Sequence, residues 1–204
     1  MADKTSKRKL NPGTLLSPLP AVMVSCGDIE KEHNIITIAW AGVVNSKPPM
    51  VNISIRKNRH SYDIIKNSGE FVINLTTKKL AYATDWCGVK SGRNYNKFKK
   101  MNLTPTKGHV VKAPLIEESP VSLECKVTEI KETGSHSMFI AEIVAVNASE
   151  EYFDPETDEF QLYKARPITY SHGHYYEVGK HIGKFGFSVM KEKTKKRLNI
   201  KTKK

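Results

Sequence analysis

The chain has 204 residues, 39% of them hydrophobic and 26% charged, which is enough to bury a sizeable core without disulfide or metal staples and too ordinary for a disordered or fibrous class. Its formal net charge is +12, yet ten of those units sit in residues 1–9 and 191–204, so residues 10–190 are nearly neutral. The three cysteines are far apart with no CxxC pair, the N-terminus carries no apolar leader, and no run approaches the roughly 18 apolar residues of a membrane span; a soluble, cytoplasmic protein is expected.

In chain order, residues 1–9 (MADKTSKRK) read as a mobile basic extension. Ala21–Ser25 is a short apolar run closed by Gly27-Asp28, and Ile35–Trp40 is a second, rich in β-branched residues, so the two predict a hairpin. Pro48-Pro49 punctuates the entry to Met50–Ile55, where Val51, Ile53 and Ile55 alternate with Asn52 and Ser54 as in a half-buried strand. In HSYDIIKNSGE, Ser61 reads as a helix N-cap, Ile64 and Ile65 as its inward face and Gly69 as its stop. Phe71–Leu75 is a further strand. In TTKKLAYATDWCG, Thr76 or Thr77 caps a helix predicted to end at Gly88.

The cleanest period of two is Val121, Leu123, Cys125, Val127, followed after a turn at Gly134-Ser135 by Phe139–Val146. His172-Gly173-His174 offers two imidazoles without a third ligand nearby, so no metal site is expected. The lysine-rich stretch 191–204 reads as a second mobile extension. Six or more strands at hairpin spacing, with helices confined to connections, predict a mainly β fold, a small antiparallel barrel; a two-sheet sandwich fits the same pattern.

One segment asks for a ligand on its own chemistry. Arg56, Lys57 and Arg59 follow a buried strand and precede the hydroxyl of Ser61 at a helix start, an arrangement of bidentate donors and a positive dipole end that suits a phosphate. An ordinary solvated basic loop has the same composition.

The ordered set of HNIITIAWAGVV, the PPMVNISIRKNRHSYDIIKNSGEFVINL run, CGVKSGRNYNKF, GSHSMFIAEIVAV and YYEVGKHIGKFGFSV resembles the flavin reductase-like family, to which flavoredoxins belong. The resemblance implies an FMN-binding split β-barrel of Greek-key-like topology, covering residues 10–190 and forming a homodimer with the flavin near the subunit interface. It makes Asn34, Thr37, Ile38, Ala39 and Trp40 the strand beside the flavin, with backbone groups that tune its electronics. Arg56, Arg59, Ser61 and Tyr62 fall at the phosphate end.

By the same resemblance, Cys87, Gly88, Ser91 and Gly92 form the loop that closes over the ring. Lys97 belongs to an element that is acidic-Lys/Arg-Phe in relatives and is Asn96-Lys97-Phe98 here. His136 follows Gly134-Ser135 where relatives carry Gly-Asp, and is the candidate for orienting the nicotinamide or a proton. The implied activity is an oxidoreductase that takes hydride from NAD(P)H, or electrons from a protein donor, at bound FMN and passes them to an acceptor. No GxGxxG fingerprint is present, as befits a barrel rather than a doubly wound fold. The alternative, a non-enzymatic nucleic-acid-binding barrel using the basic ends, lacks aromatic residues interleaved with the tail lysines.

Overall fold

The computed structural model describes residues 6–191, so most of the two basic extensions lies outside the described residues. Strands β1 (Leu19–Pro20), β2 (Val22–Gly27), β3 (His33–Ile38), β4 (Ala41–Ser46) and β5 (Pro49–Ile55) lead into helix α1 (His60–Ser68). Strand β6 (Glu70–Leu75), helices α2 (Ala81–Val89) and α3 (Lys97–Met101), and the short strands β7 (Pro105–Thr106) and β8 (Leu115–Ile116) follow. Two long strands, β9 (Val121–Glu132) and β10 (Ser137–Ala148), and the hairpin β11 (Ile168–Ser171) and β12 (His174–Glu177) complete the order.

Seven strands form one antiparallel sheet in the order β3-β2-β6-β9-β10-β5-β4, while β1-β11-β12 and β7-β8 form two small ones. The large sheet curls around a core of Val24, Ile36, Ile53, Ile55, Phe71 and Phe139 without closing, which makes it a split barrel. Ala39 and Trp40 carry the chain from the β3 edge across to the other edge, where the Trp40 carbonyl accepts from Ser54 N at 2.9 Å. The split between β3 and β5 is therefore fixed by backbone at one end. Strand β2 is buried on both faces because Val22 and Val24 enter the barrel while Met23 packs under α2 and α3 with Leu80 and Phe98, which is why its sequence reads as an unbroken apolar run.

Helix α1 ends as expected at Gly69, whose φ of 71° and N–H to the Ile65 carbonyl make a left-handed stop. Its start differs from the sequence reading. The N-cap position is Arg59, without a side-chain capping bond, and Ser61 is the second helical residue. Helix α2 also runs one residue past Gly88, and Thr77 precedes a single 3-10 turn without capping it, while Thr76 Oγ1 donates to the Ala21 carbonyl. Strand β4, helix α3 and the β11–β12 hairpin were not anticipated.

A fully buried carboxylate fastens the 108–111 loop to the sheet. Glu124 on β9 accepts from the N–H groups of His109 (2.9 Å), Val110 (2.7 Å) and Val111 (2.8 Å) and from Asn147 Nδ2 (2.9 Å). Burial alone would raise its pKa, but these four donors outweigh it and hold the carboxyl below its ordinary value. Gly108 is required beside it, since a Cβ there would lie 2.7 Å from Oε2.

Candidate functional site

The split opens into a cleft of about 420 Å³ between the β3 edge and the end of β5 beyond its pairing with β4. Ile36, Thr37 and Ile38 of β3, with Ala39 and Trp40 beyond it, form one wall; Ser54, Ile55 and Arg56 form the other. Helix α2 closes the side with Asp85, Gly88 and Val89, and the β11–β12 hairpin adds Tyr170, Gly173 and Tyr175. Thr37 Oγ1 donates to the Thr84 carbonyl, and a Cβ on Gly88 would sit 3.2 Å from Thr37 Cβ, so glycine lets α2 lie this close to β3. At the mouth, Trp40 and His136 lie nearly parallel, 19° apart with ring centres at 6.1 Å. Burial, reinforced by the charge of Arg56, lowers the His136 pKa and favours the neutral imidazole, and Ser135 Oγ lies 2.9 Å from Nδ1 where relatives were expected to place a carboxylate.

A smaller chamber of about 180 Å³ adjoins the first, sharing Ile36 and Arg59 with it. Asn34 of β3, the α1 start at His60 and Ser61, and the loop Lys90–Arg93 line it, together with Asn58 and Lys97. Four cations and no carboxylate are among these residues, and the first N–H groups of α1 face the same region. Ser61 Oγ accepts from Asn34 Nδ2 at 2.9 Å, which occupies the hydroxyl oxygen that the sequence suggested for capping. Arg93 Nη1 donates to the Asn58 carbonyl at 3.1 Å and ties the loop across the chamber. Gly92 lies against Asn34 so tightly that a Cβ would fall 2.2 Å from Asn34 Oδ1.

The wall between the chambers contains the C-terminal turn of α2, whose free carbonyls form the negative end of the helix dipole. Two cations cap them. Lys97, 4% exposed, donates to the carbonyls of Cys87 and Ile35, both at 2.7 Å, and Arg59 donates to the Gly88 carbonyl. The last turn of α2 thus presents positive charge where bare carbonyls would repel an anion. Burial, reinforced by Arg59, pushes the Lys97 pKa down to about 8. Asn96, the departure from the acidic pattern, is the N-cap of α3, with Oδ1 accepting from Lys99 N at 2.9 Å.

Of the residues singled out from sequence, Thr37, Ile38, Ala39, Trp40, Arg56, Gly88 and His136 line the larger chamber, Asn34, Ser61, Ser91, Gly92 and Lys97 the smaller, and Arg59 both. Arg56, grouped with the phosphate end from sequence, therefore faces the larger chamber. Tyr62 and Cys87 line neither. Tyr62 is in the barrel core edge-on to Phe139, and Cys87 is on the buried face of α2, with its thiol pushed up to about 11 by that burial. The structure adds Ser54, Asp85, Tyr170, Tyr175, Asn58 and Lys90. Asp85 could have been found from the helical spacing that puts it on one face with Gly88 and Val89; the tyrosines leave no such trace.

Comparison with known proteins matches this architecture. The flavin reductase like domain model matches residues 15–179. An uncharacterised protein of Archaeoglobus fulgidus is 33% identical over 143 residues, 70% of this chain and 80% of its own length. Flavoredoxin of Desulfovibrio vulgaris (Miyazaki F) superposes with a TM-score of 0.83 at 31% identity over 91% of this chain and all of its own. Flavoredoxin from Methanosarcina acetivorans gives 0.80 at 27% identity over the same shares. With a cleft at the barrel split beside a cationic pocket, and a family match over most of the chain, this protein belongs to the flavin reductase-like family and is a flavin-related oxidoreductase.

Proposed function

We propose that the protein binds FMN, accepts hydride from NAD(P)H or electrons from a protein donor, and passes them to an acceptor. The observation that carries this is the pairing of the two chambers: a slot for a planar ring between β3 and β5, and beside it a carboxylate-free cationic pocket for one phosphate. The close approach of Gly92 to Asn34 and of Gly88 to Thr37 leaves backbone surfaces that a flat ligand can meet. Arg59, Ser61, Lys90, Arg93 and Lys97 would hold the phosphate; the β3 residues Thr37 and Ile38, with Ala39, would present backbone groups to the ring.

The flavin supplies the two-electron acceptor chemistry when bound. Trp40 and His136 form the aromatic rim that orients an incoming ring, and the neutral imidazole can hold a proton there. Val43, 79% exposed on the free edge strand β4, and Trp40 beside the cleft support a homodimer that covers this edge.

Purified protein is expected to carry FMN near one per chain, and anaerobic mixing with NADH, NADPH or a reduced ferredoxin should bleach the flavin band with one of them. A colourless protein that takes up no added FMN would overturn the assignment. The low pKa of Lys97 adds a sign. A phosphate dianion favours the ammonium, so FMN affinity should fall as pH rises from 7.5 to 9.5, by roughly tenfold, while riboflavin affinity stays level. Parallel titrations by flavin fluorescence decide it; a pH-independent ratio would remove Lys97 from the phosphate contact.

A further inference from the structure

The charges around the larger chamber are unevenly placed. Arg56 and Arg59 follow β5, Arg59 also lining the smaller chamber, and Asp85 is the one carboxylate among the described residues that line the larger one. Asp85 stands a helical turn before Gly88 on α2, hence roughly 5 Å farther from the phosphate pocket along the helix axis. Across from it, Tyr175 of β12 lines the same chamber with its phenol near the carboxylate, and it packs edge-on against Tyr170, with ring centres at 5.6 Å. The ring slot is therefore cationic at one end and anionic at the other.

We propose that Asp85 sets the reduction potential of the flavin held in the larger chamber, by placing a negative charge on its α2 wall, one helical turn before the Gly88 carbonyl that Arg59 caps. The inference rests on the ring position argued above. Uptake of two electrons and one proton leaves an isoalloxazine one unit more negative, so a fixed carboxylate nearby opposes reduction and lowers the potential. Tyr175 moderates the effect through the dipole of its nearby hydroxyl, and burial together with the carboxylate pushes the phenol up to about 12, so it keeps its proton at any working pH. Asp85 is exposed to solvent, so the effect is limited in size and screened by salt.

The test is spectroelectrochemical titration of the FMN-loaded full-length protein at low and high salt. Asp85→Asn should make binding of reduced relative to oxidised FMN threefold to tenfold tighter, a rise of about 15 to 30 mV for a two-electron couple. Asp85→Glu should restore the original value. Tyr175→Phe, which removes the hydroxyl dipole but leaves the carboxylate, should move the potential the opposite way, by about twofold, or roughly 9 mV. Shifts in one direction for both variants, or no shift in Asp85→Asn, would overturn the proposal. Ala39→Trp, which fills the slot, serves as the separate check: if FMN still binds it, the ring lies elsewhere and the flavin site itself is misassigned.

Discussion

Glu124→Ala should lower stability by about 3–5 kcal/mol and the melting temperature on the order of 10 °C, the largest loss expected from any single change considered. The substitution strands three consecutive backbone N–H groups, at His109, Val110 and the buried Val111, beside a cavity where the fully buried carboxylate stood, and frees Asn147. Thermal unfolding followed by circular dichroism at pH 7 measures it. Because the folded carboxyl has the lower pKa, the stabilisation is complete above the unfolded value of about 4.3 and drains away as pH falls through the folded one. The gap between wild type and Glu124→Gln should therefore narrow in acid. A loss under 2 °C at neutral pH, on the order of half a kcal/mol, would mean the loop is held by something else.

Arg59→Ala should weaken FMN by roughly tenfold to a hundredfold, about 1.5–3 kcal/mol for a lost charged hydrogen bond, and riboflavin far less. The side chain also caps the Gly88 carbonyl, and uncapping that group affects both ligands equally, so the ratio of the two affinities isolates the phosphate. Arg56→Ala should instead weaken FMN and riboflavin alike, because Arg56 lines the larger chamber only. Isothermal titration of wild-type and both variant apoproteins with both ligands gives the six numbers needed. Selective loss of FMN in Arg56→Ala, with Arg59→Ala neutral, would exchange their assignments.

The barrel strands were readable because burial on one face writes a period of two, as in Val51, Ile53 and Ile55, and the α1 stop was readable because only glycine takes the backbone required at position 69 without cost. Strand β4 was not. Lying at the sheet edge with Val43, Val44, Asn45 and Ser46 all exposed, it has no buried face to impose alternation. Helix α3 is five residues long and rests on one capping bond from Asn96, too little to stand out from a loop.

The site was half legible for a related reason. Ser61 and Tyr62, like Gly88 and Cys87, are neighbours in sequence but about 100° apart around a helix, so when one of each pair faces a chamber the other faces the core. A motif that spans both cannot say which is which. Asp85 and Tyr175 meet only through the tertiary fold.

The two cations that cap the α2 carbonyls sit close enough to repel each other, which is part of why the Lys97 ammonium is acidic. If the smaller chamber takes the FMN phosphate as proposed, a small tetrahedral anion would satisfy the same cations. Phosphate or sulfate buffer would then act as a competitor: it would firm up the apoprotein while making the flavin look weakly bound, so a buffer free of such oxyanions is the right medium in which to judge how tightly this protein holds its cofactor.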